Sequence, residues 1–159
     1  MSAPRANPLF LRDADLREAL ELLFFAYRDF TGEADAILAD FGFGRAHHRV
    51  IYFVGANPGL SVSELLSILR VTKQSLSRVL GQLIEEGFVE QRMDVDDRRR
   101  RLLHLTGKGR DLERLLTERQ SALVARAYKN SGADSVAGFR TVMRGIINET
   151  DRKRFDDRE

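Results

Sequence analysis

A run of polar side chains between positions 72 and 86 has the chemistry needed to hydrogen-bond a nucleic acid. Leu76, Val79, Leu80 and Leu83 recur at helical spacing, which predicts a helix over 72–86 with one buried face. The remaining surface carries amide, hydroxyl and basic groups suited to base edges and phosphates. The predicted DNA-binding residues of this helix are Thr72, Lys73, Gln74, Ser75, Ser77, Arg78 and Gln82.

Four consecutive arginines, at positions 98–101, follow the acidic run 94–97. Alternating, β-forming residues on either side predict strands over 88–93 and 102–105, so the charges occupy a hairpin loop. A phosphate backbone relieves their mutual repulsion, and an arginine at a loop tip can enter a narrow minor groove. Asp97, Arg98, Arg99 and Arg100 therefore join the predicted DNA-binding set. The open alternatives are a solvated charged turn, or arginine stems that cover the sheet.

The elements that position these groups have clear local signals. Ser61 and Glu64 form a capping box that opens a helix, and Ser61 also belongs to the predicted DNA-binding set. Thr72 is an N-cap and Gly87 a helix stop. Helices are also predicted over 13–40, 47–55, 107–129 and 135–150.

The predicted fold is mainly α with a small β-hairpin wing. It comprises a winged helix-turn-helix plus N- and C-terminal dimerisation helices. Apolar residues near the N-terminus, including Phe24, Phe25 and Phe30, exceed what a small lobe can cover, which favours a partner chain. The predicted organisation is a flexible arm (1–11), dimerisation helices (12–45 and 107–150), a DNA-binding lobe (46–106) and a charged C-terminal tail (151–159).

Composition and charge narrow the class of protein. The 159 residues are 43% hydrophobic and 31% charged, and contain no cysteine, which excludes disulfides and thiolate chemistry. Residues 70–110 hold ten lysines and arginines against six acids, whereas the whole chain carries +2, so a polyanionic partner is indicated. Without a membrane-spanning run or a signal peptide, a cytoplasmic protein is expected.

Catalysis and metal binding lack a convincing set of residues. His47 and His48 are adjacent, and adjacent side chains on a helix point about 100° apart, which is poor geometry for chelating one metal. A nucleophile–base pair and a phosphate-cradling glycine loop are not evident. We therefore expect no enzymatic activity, no catalytic residues, no metal and no cofactor.

The stretches "EEGFVEQR" and "DVDDRRRRLLHLTGKG" resemble the wing signature of the MarR-type winged-helix repressors. The resemblance extends over roughly residues 13–150. It implies a homodimer that places two recognition helices in successive major grooves, and repression or activation relieved by a small ligand. It also implies that Asp97 braces the wing and that Arg98 or Arg99 reaches the minor groove. Arg100 and Arg101 depart from the family pattern, in which small or apolar residues are more usual.

The resemblance further implies a ligand, often an aromatic or phenolic carboxylate, between the dimerisation helices and the DNA-binding lobe. The predicted ligand-binding residues are Phe24, Tyr27, His47, Arg49 and Tyr52. Arg49 could pair with a carboxylate while the aromatic side chains stack on a ring. The open alternative is that all five are ordinary core and interface residues.

Two function classes fit these observations. One is a ligand-responsive transcriptional regulator that binds a near-palindromic DNA site. The other is a winged helix used for protein interaction, or a structural protein that binds DNA without sequence preference. The polar surface of 72–86 together with the wing arginines favours the regulator, because a protein-interaction module would show an apolar patch there.

Overall fold

Helices dominate the architecture, and a small sheet lies beside the third and fourth of them. A computed structural model describes residues 12–158, so the predicted arm (1–11) lies outside the described residues. The fold class is confirmed as mainly α with a wing. The elements in chain order are α1 (Asp13–Ala39), α2 (Arg45–Ala56), β1 (Leu60–Ser61), α3 (Val62–Leu69), α4 (Lys73–Glu85), β2 (Val89–Met93), β3 (Arg101–Leu105), α5 (Gly107–Ser131), α6 (Ala133–Ile146), α7 (Glu149–Arg152) and a 3₁₀ helix (Lys153–Arg158).

Side-chain caps start the helices that matter for the lobe. The Ser61 hydroxyl accepts from the Glu64 N–H (3.2 Å), and the Glu64 carboxylate accepts from the Ser61 N–H (2.8 Å), which confirms the predicted capping box. Thr72 caps α4 by accepting from the Ser75 N–H at 3.1 Å. Thr106 caps α5 through the Gly109 N–H at the same distance. These three helices, α3, α4 and α5, therefore begin where the sequence supplies an oxygen for orphan backbone donors.

The sheet has three antiparallel strands in the order β1-β3-β2, one more than the predicted hairpin. Leu60 pairs with Leu103 and Ser61 with Leu102. The turn at residues 57–59 leads into this short strand, and the Gly59 N–H donates to the Leu103 carbonyl at 2.9 Å. A two-residue strand has no periodicity, so its pairing was not predictable from local pattern.

The hydrophobic core joins the lobe to the C-terminal end of α1 and the N-terminal half of α5. Phe88 lies at its centre and makes edge-to-face contacts with Phe41 and Phe43, with ring centroids 5.6 and 5.1 Å apart. Leu38 of α1 and Leu116 of α5 are fully buried in the same cluster. The lobe and the long helices are therefore one packed unit at this end.

The N-terminal part of α1 and all of α6 are not covered by other described residues. Leu20 is 67% exposed and Phe139 is 50% exposed, and α6 has no buried residue. Other large apolar side chains exposed on these helices are Leu16, Leu22, Leu23, Phe24, Phe25, Val142 and Ile146. Within residues 12–158, helices long and apolar enough to cross a membrane do not occur.

The last predicted helix, over 135–150, ends earlier than expected. The backbone becomes extended at Ile147, and the Asn148 side chain accepts from the Asp151 N–H at 3.0 Å, which starts α7. Asp151 also lies 3.5 Å from the Arg70 guanidinium, in the turn between α3 and α4. Residues 149–158 are therefore helical and contact the lobe.

The capping box makes a pH-dependent contribution to stability. The Ser61 N–H is the main cause that lowers the pKa of Glu64; burial opposes the shift, and the Ser61 hydroxyl and the Arg100 charge add to it. A carboxylate with a lowered pKa stabilises the fold above its ordinary pKa, and this contribution is lost as the pH falls toward the folded-state pKa.

Glu64→Gln keeps a hydrogen-bonding side chain and removes the charge. We expect the unfolding free energy to fall by about 0.5 kcal/mol at pH 7, a small value because the carboxylate is largely exposed to solvent. The difference should disappear as the pH falls through the lowered pKa of Glu64. Urea denaturation at several pH values measures this, with Glu18→Gln on exposed α1 as the control. Equal pH dependence in the two variants would contradict the assignment.

Candidate nucleic-acid interface

Helix α4 is fixed to the core along one side and presents polar groups along the other. Leu76, Val79, Leu80 and Leu83 are buried against the lobe, as the spacing predicted. The exposed side chains of Lys73, Gln74, Ser77 and Arg78 make no hydrogen bond or ion pair with any other described residue. Gly81 lies on the same exposed surface, with no heavy atom within 4 Å of a Cβ built there. This surface can therefore approach a duplex closely and hydrogen-bond to it.

Three of the predicted DNA-binding hydroxyls already serve the helix caps. Ser61 is only 4% exposed and is held in the capping box with Glu64, so its hydroxyl is not presented to a phosphate. The Thr72 hydroxyl donates to the Ser75 Oγ at 2.8 Å and accepts from the Ser75 N–H. Ser61 is therefore placed as a positioning residue, whereas Thr72 and Ser75 are exposed at the start of α4.

Gln82 is directed toward α2. Its Oε1 lies 2.8 Å from the His47 Nε2, and its Nε2 donates to the Glu86 carboxylate at 3.3 Å. Its side chain is half-buried, unlike those of Gln74 and Arg78 on the same helix. The structure thus joins Gln82 and His47, which the sequence assigned to two different sites.

Aspartates shape the tip of the wing between β2 and β3. The Asp97 carboxylate accepts from the Arg99 N–H and its carbonyl from the Arg100 N–H, each at 3.0 Å. The Asp94 carboxylate accepts from the Asp96 N–H at 3.0 Å. Asp94 therefore also stabilises the wing loop, a role that was not predicted from the sequence. An aspartate that accepts a hydrogen bond from the backbone N–H two residues later is a known turn signal.

The four wing arginines differ in their surroundings. Arg100 is held between Glu64 (3.5 Å) and Asp94 (3.6 Å). Arg99 is 93% exposed and has only a 3.4 Å contact with Asp97. Arg98 and Arg101 are exposed, and their side chains have no partner among the described residues. Arg98, Arg99 and Arg101 are therefore the cations available to an external anion.

A cavity of about 670 Å³ lies between α1, α2 and α5, beside the lobe. Among the predicted ligand-binding residues, Tyr27, Arg49 and Tyr52 line it, and the Arg49 guanidinium donates to the Tyr27 hydroxyl at 2.8 Å. Phe24 and His47 are not among its lining residues: Phe24 is exposed on α1, and His47 turns toward α4. Lining residues that were not predicted from the sequence are Phe30, Thr31, Arg45, His48, Phe53, Thr117, Gln120, Ser121, Val124, Ala125 and Tyr128.

The polar part of this cavity is basic. The Arg45 guanidinium pairs with Asp35 at 3.0 Å and lies 5.3 Å from the Tyr27 ring centroid. Burial lowers the pKa of His48, which favours the neutral ring, while the charges of Asp35 and Glu113 oppose this shift. Apolar walls with two arginines suit an aromatic anion. Groups of three or more metal-ligating side chains do not occur among the described residues.

Comparisons with known proteins agree on one family. A profile of the MarR family matches residues 41–100. The HTH-type transcriptional regulator PetP of Rhodobacter capsulatus is 49% identical over 147 residues, covering 92% of this chain and 89% of PetP. The chain belongs to the MarR family. It is a DNA-binding transcriptional regulator of the winged helix-turn-helix type, and the predicted family membership is confirmed.

Solved structures share the fold at low sequence identity. FabT of Streptococcus pneumoniae, solved in complex with DNA, is 22% identical with a TM-score of 0.74, covering 83% of this chain and 94% of FabT. PcaV of Streptomyces coelicolor, solved in complex with its natural ligand, is 20% identical with a TM-score of 0.62, covering 92% and 96%. These likenesses place α4 and the wing in the fold that the MarR family uses.

Proposed function

We propose that this MarR-family regulator is a repressor that binds a near-palindromic operator as a homodimer in the cytoplasm. The observation that carries the proposal is the exposed surface of α4, where Lys73, Gln74, Ser77 and Arg78 have no partner within residues 12–158, next to a wing with available arginines. In this arrangement α4 enters the major groove, where glutamine can bridge adenine and arginine can bridge guanine. FabT, which shares the fold and was solved in complex with DNA, supports the same use of it here. No catalytic step is assigned to the chain.

The wing adds contacts with the backbone and the minor groove. Arg98 and Arg99 are proposed as the groove and phosphate contacts, because Arg100 is occupied by Glu64 and Asp94. The Asp97 turn fixes the loop from which both side chains project. Such contacts strengthen binding to every duplex, whereas α4 supplies preference among sequences.

The homodimer accounts for the exposed apolar side chains on α1 and α6. Large apolar side chains are rarely left in water in such numbers on neighbouring positions of a helix. Two-fold pairing through these helices places two copies of α4 about 34 Å apart, or a multiple of that distance, which matches half-sites separated by whole turns of DNA.

The cavity between α1, α2 and α5 is proposed to bind a small aromatic or phenolic carboxylate that changes the affinity for DNA. Arg49, or Arg45, would pair with the carboxylate, and Tyr27 and Tyr52 would stack on the ring. PcaV, which has the same fold, was solved with its natural ligand. If these residues are instead only core and interface residues, aromatic carboxylates will not bind.

Selection from a random duplex library tests the proposal, because it reports DNA binding, sequence preference and half-site spacing together. We expect a near-palindromic consensus and salt-sensitive binding. Equal affinity for any duplex would indicate a non-specific structural protein, and no binding would indicate a protein-interaction module.

Two substitutions separate the roles of the wing and the helix. Arg99→Ala should weaken binding to all duplexes and reduce the slope of log affinity against log salt by about 1 per protomer. Gln74→Ala should change the preferred bases at a cost of about 1–3 kcal/mol. Arg100→Ala is the matched wing control, with a smaller expected loss. Shift assays over a salt series measure these effects, and wild-type affinity in Arg99→Ala would rule out its wing role.

A further inference from the structure

We propose that His47 and Gln82 act as a pair of positioning residues that fix the rotation of α4, and with it the sequence preference of the protein. This inference rests on the proposed reading of DNA by α4. It assigns to both residues a role different from the direct contacts that their sequence positions indicate.

The hydrogen bonds of His47 define the tautomer of its neutral ring. Its Nδ1 accepts from the Gly44 N–H at 3.0 Å, and a backbone N–H can only donate. The neutral ring therefore carries its proton on Nε2, which donates to the Gln82 Oε1 at 2.8 Å. The ring also stacks on Phe43, with centroids 4.7 Å apart, which restricts its orientation.

Gln82 completes a short chain of hydrogen bonds. With its oxygen bound to His47, its amide nitrogen donates to the Glu86 carboxylate at the C-terminal end of α4. The side chains of His47 and Gln82 are half-buried. Breaking the His47–Gln82 link leaves a partly shielded polar group without this partner, which costs more than the loss of an exposed hydrogen bond.

The position of Gln82 on α4 gives this contact its consequence. Residues four apart on a helix lie on one face, so Gln74, Arg78 and Gln82 form a single stripe. The far end of that stripe is tied to α2, while Gln74 and Arg78 are exposed nearer the start of the helix. A rotation of α4 that breaks the Gln82 contact turns both of these side chains away from the bases that they are proposed to contact.

The pairing also links the two candidate sites. His48, Arg49 and Tyr52 of α2 line the cavity, whereas His47 on the same helix contacts α4. A displacement of α2 is therefore transmitted through the His47–Gln82 hydrogen bond to the stripe formed by Gln74, Arg78 and Gln82.

The test compares full-length variants by the ratio of affinities for the selected operator and for a random duplex. His47→Asn retains an oxygen that can accept from the Gly44 N–H but is too short to reach Gln82. Gln82→Leu keeps the side-chain volume and helix propensity without hydrogen bonds. We expect each to lower the ratio about tenfold, through loss of affinity for the selected operator, and the double variant to lower it no further.

Several outcomes would overturn the proposal. Additive losses in the double variant would show that the residues act separately. A Gln82→Leu variant that changes preference at one base pair, while His47→Asn retains the wild-type preference, would show a direct base contact. If His47→Asn fails to fold in thermal melting, repeating the library selection with Gln82→Leu still decides the case, because positioning predicts weakened preference at several base pairs. A wild-type protein without sequence preference would instead refute the proposed function.

Discussion

Replacing Gly109 with alanine is expected to lower the free energy of unfolding by about 3 kcal/mol or more, because the new methyl group overlaps backbone. A Cβ at Gly109 would lie 2.0 Å from the Phe88 carbonyl oxygen and 3.0 Å from its carbon. That oxygen accepts from the Thr106 N–H at 3.1 Å, so it cannot withdraw without loss of the hydrogen bond. Relief requires α5 to move away from the start of β2.

The same substitution should weaken operator binding, because the start of α5 contacts the residues that directly follow α4. The Thr106 hydroxyl donates to the Gly87 carbonyl at 2.6 Å, and Lys108 Nζ donates to the Glu86 carbonyl at 3.1 Å. The Lys108 ammonium also lies 4.3 Å from the centroid of the Phe88 ring. Displacing α5 therefore disturbs these contacts with the segment that directly follows α4.

Gly107→Ala is the matched control for this measurement. A Cβ at Gly107 would have only the Arg110 guanidinium nearby, at 3.8 Å, so we expect stability within about 0.5 kcal/mol of wild type. Urea denaturation gives the free energies, and a shift assay with the selected operator gives the affinities. If Gly109→Ala is as stable as Gly107→Ala, the contact between α5 and Phe88 accommodates the methyl group without loss of unfolding free energy, and the prediction is wrong.

Local sequence signals were sufficient for most of the fold. Caps at Ser61, Thr72 and Thr106 and the apolar spacing of α4 act over a few residues, so their outcome could be predicted from the chain itself. β1 was missed because a two-residue strand exists only through its pairing with β3. The early end of α6 depends on a single Asn148 cap, which the continuing apolar pattern concealed.

The candidate site was predictable in type but not in detail. Residue chemistry indicated that α4 and the wing bear polar and basic groups, and the structure places them on exposed surfaces. Which groups are available depends on distant partners: Arg100 meets Glu64, and Gln82 meets His47, 35 residues away. The α5 wall of the cavity, which includes Tyr128, comes close to α2 only through tertiary packing.

Introducing a charge among the exposed apolar side chains of α1 should separate the proposed dimer and almost abolish operator binding. Leu20 is 67% exposed on α1, among other apolar side chains of the same helix. Leu20→Glu would bury a carboxylate without a partner at a two-fold interface, once in each protomer. In a dimer, once one copy of α4 has bound its half-site, the second copy meets the other half-site at a high effective concentration. Separating the two protomers should therefore lower the affinity for the operator about 10²–10⁴-fold.

Ala36→Glu provides the control, since it adds the same side chain to the exposed surface of α1 about 160° away from Leu20. Light scattering coupled to size exclusion measures the mass, and a shift assay measures operator affinity. We expect Leu20→Glu to be monomeric and folded, with Ala36→Glu unchanged in both mass and affinity. A dimeric Leu20→Glu with wild-type affinity would mean that the α1 surface has another occupant, and that the two recognition helices are joined elsewhere.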